Sequence, residues 1–528
     1  MKISQVIYRI YYRLRISKDL PYKEVPQKRT PNNYVKIGIL KKDDTYNPDL
    51  NFFLFLNKKK YNTQPIDWNP KGMTRLWVYN LHYFDFINSG ELSSRQMDVE
   101  YIIDSWIDNN NSLKGPGWEP YPVSLRIVNW IKFFLNYKFK KDIYIESLYL
   151  QLRYLSKNIE YHIMGNHIIA NAKALIFGGI FFDDSKSNNF RLLGENIFTK
   201  QINEQILKDG AHFELSPMYH QVILEDIIDL IHIYNAYNIK VPSLWNKKLA
   251  AMQNWSTAMS HPDGDISFFN DSAFSIARKP EETEKECIDI GIPIDKQNFL
   301  IQHFEDSGYV IFKNHNIKMI IDSGVIGPNY IPGHGHSDLY SFELSIFGKR
   351  LVVNGGTSTY EISEKRGFER SSASHSTIEI DGNNSSEVWS SFRVARRSKP
   401  SIAKVLKNQN NIQISSTNTD FRNLYRKIRN TRTWNIKNNE IIIKDKLEGP
   451  YKTAKTKIIL HPDWTCKKIN DQLIYIYCEM LNKRVKVESL EPINIRQASY
   501  SSEFGKSQRT TCLTQNSISN NMQLIISW

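Results

Sequence analysis

The stretch GHGHSDLYSFELSIFGKRLVVN, residues 333–354, opens with two histidines one residue apart and continues as two apolar runs. Leu344 and Ile346 alternate as in a strand, and a Gly-Lys turn leads into the second run. Side chains two apart in a strand point the same way, so extended chain would direct His334 and His336 to one side. Two adjacent imidazoles suit a metal site or proton transfer. A surface loop with two solvated histidines is the alternative.

The same strand alternation recurs through the rest of the C-terminal half. It begins with GYVIFKNHNIKMIIDSG (residues 308–324), and the later runs are short and separated by turn residues. Many short strands of this kind are typical of a sandwich. We therefore predict an antiparallel β-sandwich domain over residues 301–528.

Residues 21–300 read differently, because apolar residues there recur with helical spacing. The segment GPGWEPYPVSLRIVNWIKFFL (115–135) predicts a loop leading into a helix with Ser124 as its cap. Further helical patterns follow with little strand signal between them, which indicates an all-α domain. The predicted fold is thus a multidomain α+β chain, helical first and β second.

Composition narrows the class of partner. The chain has 528 residues, a net charge of +14 and 28 Tyr and 11 Trp. A basic balance favours nucleic acid, anionic lipid or an acidic polysaccharide. No nucleic-acid-binding signature appears, so nucleic acid is not expected. The four cysteines show no C-x-x-C spacing, which argues against a disulfide scaffold or a cysteine-held zinc.

The N-terminal stretch MKISQVIYRIYYRLRISKDL predicts an amphipathic helix over residues 1–20, because Ile7, Ile10 and Leu14 fall on one face. Arginines within it interrupt any signal-peptide core, so the sequence alone indicates the cytoplasm. The helix either packs on the protein's own body or lies on an anionic membrane. No run of about 18 apolar residues that would span a bilayer appears.

Four stretches stand out for polar residues placed where a helix or strand is usually apolar, and the Pro- and Gly-rich stretch 117–130 accompanies them. They are GWEPYPVSLRIVNW (117–130), GNHIIANAKAL (165–175), DGAHFELSPMYHQVILEDI (209–227), the stretch 333–354, and SASHSTIEIDG (372–382). Taken together and in this order, they resemble the heparinase II/III family of polysaccharide lyases. The resemblance implies an incomplete (α/α) toroid followed by a multi-sheet antiparallel β domain, with a β-elimination activity on an acidic, uronate-containing glycan.

The resemblance also implies roles for individual residues. Asn166 matches the group that neutralises the uronate carboxylate, and His167 beside it assists. Tyr219 matches the catalytic tyrosine and His334 the histidine that acts as base or as its partner. Beyond the resemblance, Arg126 and Arg370 are candidates for binding a substrate carboxylate or sulfate through their forked donors. Glu214 and His220 are also candidates for substrate contact, and Glu214 is alternatively expected to orient the region of Tyr219. Asn166 has a bland alternative reading as a helix cap.

A structural zinc is implied at His336, position 354 and His375, and no organic cofactor is expected. The chain departs from the family pattern at position 354, where relatives commonly have Asp and this sequence has Asn354. An amide oxygen is a weaker, uncharged zinc ligand. The family's function places such enzymes in the cell envelope or periplasm. Neither the polysaccharide nor the oligomeric state follows from the residues.

Two other functions remain open at this stage. A hydrolase would need paired carboxylates, for which Glu214, Glu225 and Asp271 are candidates. A non-catalytic glycan-binding protein of a surface-polysaccharide pathway, such as capsule or O-antigen assembly, would use the same basic surface without the chemistry.

Overall fold

The computed structural model describes residues 2–14, 25–32, 45–88, 92–137, 141–295, 298–409, 411–419, 421, 428–517 and 520–528. The α-helices in these residues are α1 Ile3–Leu14, α2 Arg75–Tyr83, α3 Gln96–Asn109, α4 Pro120–Asn136, α5 Asp142–Lys157, α6 Gly165–Phe181, α7 Ser185–Gln205, α8 Pro217–Ala236, α9 Ser243–Met259, α10 Pro280–Asp289 and α11 Glu364–Glu369. Within the described ranges, no helix is long and apolar enough to cross a membrane.

The strands are β1 Tyr46–Asn47, β2 Phe52–Phe55, β3 Lys58–Tyr61, β4 Ile301–Phe304, β5 Tyr309–Lys313, β6 Ile317–Asp322, β7 Phe342–Ile346, β8 Lys349–Val353, β9 Ile378–Ile380, β10 Val388–Trp389, β11 Arg393–Val394, β12 Lys404–Asn408, β13 Asn411–Asn418, β14 Arg429–Lys437, β15 Glu440–Glu448, β16 Ala454–Leu460, β17 Thr465–Asn470, β18 Leu473–Cys478, β19 Lys483–Ser489, β20 Ile493–Tyr500, β21 Gln508–Asn516 and β22 Asn521–Ser527. The mixed helical and antiparallel-sheet architecture predicted from the sequence is confirmed.

The chain divides into two compact units. The helical unit comprises residues 1–206, 222–250 and 285–293, and the sheet unit comprises residues 207–221, 251–284 and 294–528. Three segments of the range predicted as all-helical, residues 207–221, 251–284 and 294–300, therefore belong to the sheet unit. That range also contains the small sheet β1–β3, where Phe53 and Phe55 of β2 pack on Phe86.

The sheet unit contains two large antiparallel sheets. One has eight strands in the order β12-β13-β14-β15-β22-β19-β18-β17, and the other has nine, in the order β20-β21-β16-β8-β7-β6-β5-β4, with β9 paired to β16. Alternate residues of both sheets enter one buried core, such as Leu344 of β7 and Trp434 of β14. Successive side chains of a strand point to opposite faces of its sheet, so every second residue enters the core.

The two predicted apolar runs are confirmed as the hairpin β7–β8, but the turn predicted at Gly348 and Lys349 lies one residue earlier, because Lys349 already pairs with Ile346. Its turn residues are Phe347 and Gly348, whose φ angles of 53° and 80° are those of a type I′ turn. The histidines before the hairpin lie in a loop and not in a strand. In the helical unit, α4 begins at Pro120, so Ser124 lies inside the helix and does not cap it. Its hydroxyl donates to the carbonyl of Pro120.

Candidate active site

Tyr219 and His334 lie in direct ring contact in the sheet unit. Tyr219 is in the first turn of α8, where its backbone N–H donates to Oγ of Ser216 at 3.1 Å. His334 is in the loop between β6 and β7, and the centroids of the two rings are 4.0 Å apart. The imidazole side chain is 16% exposed, so it remains open to a ligand. Two of the four residues predicted as catalytic therefore form one cluster.

A buried carboxylate, Asp271, holds both histidines of the H-x-H loop. Its Oδ2 accepts a hydrogen bond from Nδ1 of His334 at 2.9 Å, and its Oδ1 accepts one from Nε2 of His336 at 2.8 Å. Arg366 donates to the same two oxygens at 2.5 and 2.8 Å. Burial alone would raise the pKa of Asp271, but Arg366 and the two histidines lower it well below its ordinary value. Asp271 is therefore an anion.

This anion determines which nitrogen of His334 carries the proton. A carboxylate only accepts hydrogen bonds, so Nδ1 of His334 is the donor and Nε2 of the neutral ring keeps its lone pair. In the part of the chain that the structure describes, Nε2 of His334 has no hydrogen-bond partner. The imidazole is thus held in the tautomer that a general base requires.

Tyr360, which the sequence analysis did not single out, places a second phenol beside Tyr219. The two hydroxyl oxygens are 3.0 Å apart. Burial, followed by the charge of Asp271, raises the pKa of Tyr360 well above its ordinary value. Tyr360 therefore remains a neutral donor, and a hydrogen bond from it stabilises negative charge on the Tyr219 oxygen.

The predicted zinc ligands His336 and His375 face each other, with Nδ1 of the first 3.2 Å from Nε2 of the second. His336 donates through Nε2 to Asp271, and His375 donates through Nδ1 to the carbonyl of Ser371 at 2.7 Å. Since carboxylate and carbonyl oxygens only accept, two neutral rings direct lone pairs at each other. Such a pair needs a metal ion or an extra proton between the nitrogens.

Asn354, the third predicted ligand, is buried and already bonded to backbone on both sides. Its Nδ2 donates to the carbonyl of Phe268 at 2.9 Å, and its Oδ1 accepts from the N–H of Ser376 at 3.1 Å. Among the described residues, no group of three or more His, Cys, Asp or Glu side chains is arranged to hold a metal ion. Of the three predicted ligands, the imidazoles of His336 and His375 therefore have lone pairs suited to zinc, and Asn354 could offer only its neutral amide oxygen.

Hydrogen bonds of His212 and His220 stabilise the turn that precedes α8. The backbone N–H of His212 donates to Nδ1 of His220 at 3.1 Å, and Nε2 of His220 donates to the carbonyl of Met252 at 2.9 Å. Burial lowers the pKa of His220 to about 3, so the ring is neutral. Glu214 is also buried, at 3% exposure. These bonds favour a role in positioning Tyr219, and the contact of Glu214 and His220 with substrate stays a prediction.

Arg370 lies buried beneath the H-x-H loop. Its guanidinium donates to the carbonyls of Gly333 at 3.3 Å, Gly335 at 2.9 Å and Ser390 at 3.1 Å. Burial lowers its pKa to about 10. Arg370 thus fixes the backbone on either side of His334, which favours a structural role over the predicted substrate contact.

Arg126 is equally buried, within the helical unit. Its Nε donates to Oε1 of Gln151 at 2.8 Å, and the guanidinium lies over the ring of Trp106 at 3.8 Å. These contacts also favour a structural role. Its recognition of substrate stays a prediction.

Asn166 and His167 lie in the first turn of α6 in the helical unit. The helix begins at Gly165, after Met164 with a left-handed φ of 68°, so Asn166 is inside the helix and is not its cap. In the described residues, the Asn166 amide has no hydrogen-bond partner. His167 contacts Oε1 of Glu160 at 3.1 Å through Nδ1. The Asn166 amide and the backbone N–H groups of the first turn of α6 are hydrogen-bond donors that can bind an anion.

The sequence offered Asp271 only as a hydrolase candidate and did not predict that Asp271, paired with Arg366, orients His334. A single carboxylate in the aromatic and serine-rich stretch SFFNDSAF (267–274) is the signal that was available, because a buried charge requires partners.

Comparison with known proteins agrees with this architecture. The family model for the heparinase II/III N-terminus matches residues 43–286, and that for the heparinase II/III-like C-terminal part matches residues 296–527. The chain belongs to the heparinase II/III family.

Two relatives and one solved structure show how far sequence identity falls among proteins that are similar to this chain. A heparin-sulfate lyase of Bacteroides stercoris is 23% identical over an alignment of 454 positions, and the match covers 75% of this chain and 64% of the relative. A heparin-sulfate lyase of Pedobacter heparinus is 24% identical over an alignment of 344 positions, and the match covers 59% of this chain and 48% of the relative. The chain thus spans less than two thirds of the length of either protein. A crystal structure of heparinase III shares the fold with a TM-score of 0.73 at 16% identity, covering 99% of this chain and 88% of that one.

Proposed function

We propose that the protein is a polysaccharide lyase that cleaves an acidic, uronate-containing glycan by β-elimination. The observation that carries the proposal is the pair of Tyr219 and His334, in ring contact at 4.0 Å, with the imidazole oriented by the anion Asp271. The heparin-sulfate lyases among the relatives support heparan sulfate-like chains as the substrate class, and a net charge of +14 suits a polyanion.

The reaction requires three events at one uronate. A base removes the C5 proton, the electron pair forms the C4–C5 double bond, and the bond from C4 to the leaving O4 breaks as an acid protonates that oxygen. His334, through Nε2, or Tyr219 takes the C5 proton, depending on the C5 epimer, and Tyr219 protonates O4. Neutralising the uronate carboxylate makes the C5 proton acidic enough to leave, and this role is assigned to Asn166 with His167 beside it.

The same proposal covers the finer architecture and the domain limits. We infer that the helices of residues 21–300 form an incomplete (α/α) toroid and that the two large sheets of residues 301–528 form a sandwich. The support is the shared core of the two sheets and the likeness to heparinase III.

Hydrolysis is less well supported by the chemistry of the carboxylates. A glycosidase pairs a protonated carboxyl, which donates to the leaving oxygen, with a carboxylate that acts as base or nucleophile. Asp271 is held as an anion, so it has no proton to donate, and both its oxygens already accept hydrogen bonds from Arg366 and the two histidines, so it is not free to act as the base either.

The first test is a panel of heparan sulfate, chondroitin sulfate, hyaluronan and alginate, followed by ultraviolet absorbance. We expect absorbance to grow with at least one polymer, because each cut creates a conjugated C4–C5 double bond. The Tyr219→Phe variant serves as the control. Incorporation of labelled oxygen from solvent without absorbance would contradict elimination, and no cleavage of any acidic polymer would favour a non-catalytic role.

We also propose that His336 and His375 bind zinc, whose contribution would be to hold the loop that carries His334. After dialysis against a chelator, we expect Zn²⁺ to raise the thermal midpoint Tm by a few degrees, since a ligand of the folded state alone stabilises it. The His375→Ala variant should show no response. An unchanged Tm of the parent protein would instead assign the charge between the rings to a shared proton.

A further inference from the structure

Helix α1 shows its apolar face to solvent. Ile3, Ile7, Ile10 and Leu14 follow each other at intervals of three and four residues, so they form one stripe along the helix. Their exposed fractions are 80%, 58%, 54% and 76%. A surface helix of a globular protein normally turns such a stripe toward the core, so this helix is oriented the opposite way.

The side of α1 that faces the helical unit is polar and aromatic. Gln5 is buried and donates through Nε2 to the carbonyl of Ile163 at 3.2 Å. Tyr8 stacks on Tyr161 with ring centroids 4.6 Å apart, and the hydroxyl of Tyr12 bonds to the carbonyl of Ile159. Lys2 pairs with Glu204. These specific contacts hold the helix by its polar side and keep the apolar stripe outward.

The charges along the stripe are all positive. In a helical projection at 100° per residue, Arg13 falls beside the exposed Val6 at one edge of the stripe, and Arg9 lies about 40° farther round, toward the packed side. The sequence has no acidic residue before Asp19, while Arg15 and Lys18 extend the cationic run. An apolar face edged by arginines is the pattern of helices that lie in the headgroup region of an anionic bilayer.

We infer that α1 attaches the protein to the surface of an anionic membrane, with Ile3, Ile7, Ile10 and Leu14 inserted among the acyl chains near the headgroups and Arg9 and Arg13 at the phosphates. The charge selects this occupant over a second protein surface. An apolar protein–protein contact needs no cationic edge, whereas anionic headgroups attract each arginine near the surface. The inference does not depend on the proposed lyase activity.

The test is flotation of the full chain with lipid vesicles. We expect binding to phosphatidylcholine vesicles that contain phosphatidylglycerol and much weaker binding to phosphatidylcholine alone. Raising NaCl from about 0.05 M to about 0.5 M should weaken the binding, because salt screens the arginines. The double variant Ile7→Glu/Ile10→Glu should lower the vesicle partition coefficient by roughly tenfold or more, because charged side chains replace the inserted apolar ones.

A matched control makes the same change elsewhere. Ile402 and Leu406 are also exposed apolar residues, at 66% and 57%, and Ile402→Glu/Leu406→Glu should leave vesicle binding unchanged. Both variants should unfold at the parent temperature, since neither alters a buried contact. Absence of binding to anionic vesicles, or equal binding by both double variants, would overturn the inference. So would an α1-dependent dimer in solution that the Ile7→Glu/Ile10→Glu change dissociates, because the stripe would then be a protein interface.

Discussion

Replacing Tyr219 by Phe is expected to lower kcat on a cleaved polymer by roughly a thousandfold, because a positioned proton donor contributes about 10²–10⁴-fold. The phenyl ring keeps the contact with His334 at 4.0 Å and loses only the hydroxyl. KM and the thermal midpoint should therefore stay close to the parent values. Initial rates of absorbance growth across substrate concentrations measure both kinetic constants.

Tyr360→Phe is the matched control for this experiment. It removes the hydroxyl 3.0 Å from that of Tyr219 and leaves the proposed acid in place. We expect a loss in kcat of roughly tenfold or less, since a single neutral hydrogen bond is worth about 0.5–1.5 kcal/mol. Equal losses in the two variants would show that Tyr219 has no special role in proton transfer.

Asp271→Asn is expected to destabilise the protein by about 3–5 kcal/mol, the usual result of removing one partner of a buried ion pair. The amide cannot accept both guanidinium bonds of Arg366, whose side chain is 0% exposed. It also leaves His334 without the acceptor that fixes its tautomer. Catalysis should therefore fall as well, by a factor of about 10² or more.

A second buried pair separates these two effects. Asp445 and Arg432 form two charge-assisted hydrogen bonds at 2.8 and 2.5 Å, and both side chains are 1% exposed. Asp445→Asn should destabilise the sheet unit by a similar amount without touching His334. Assayed well below both unfolding midpoints, it should keep the parent kcat. A comparable loss of kcat in the two variants would mean that Asp271 acts through stability alone.

Much of the architecture was predictable because it rests on local periodicity. The alternation of Leu344 and Ile346 and the glycine that follows predicted the hairpin β7–β8, and helical spacing predicted that further helices follow α4. Helix starts were less predictable, since Pro120 displaced Ser124 as the start of α4, and Asn166 was equally compatible with a cap. The small sheet β1–β3 was missed because β1 has only two residues and neither FFLF of β2 nor KKKY of β3 alternates apolar and polar residues.

The family resemblance predicted Tyr219 and His334 as catalytic residues, and the structure shows that their rings are in contact. Asp271 could not be assigned in the same way. Its partners come from residues 334–336 and from Arg366, and sequence spacing carries no information about which distant cation meets which carboxylate. Tyr360 was missed for the same reason, because its partner Tyr219 lies 141 positions away.

The buried ion pair of Asp271 and Arg366 limits which substitutions this chain tolerates at the two positions. A substitution at Asp271 or Arg366 alone leaves the other charge buried without its partner. Substitutions at the two sites are therefore expected to show strong epistasis. A library that randomises both codons together should recover folded clones chiefly as coordinated exchanges, whereas one that randomises either codon singly should return the parental residue.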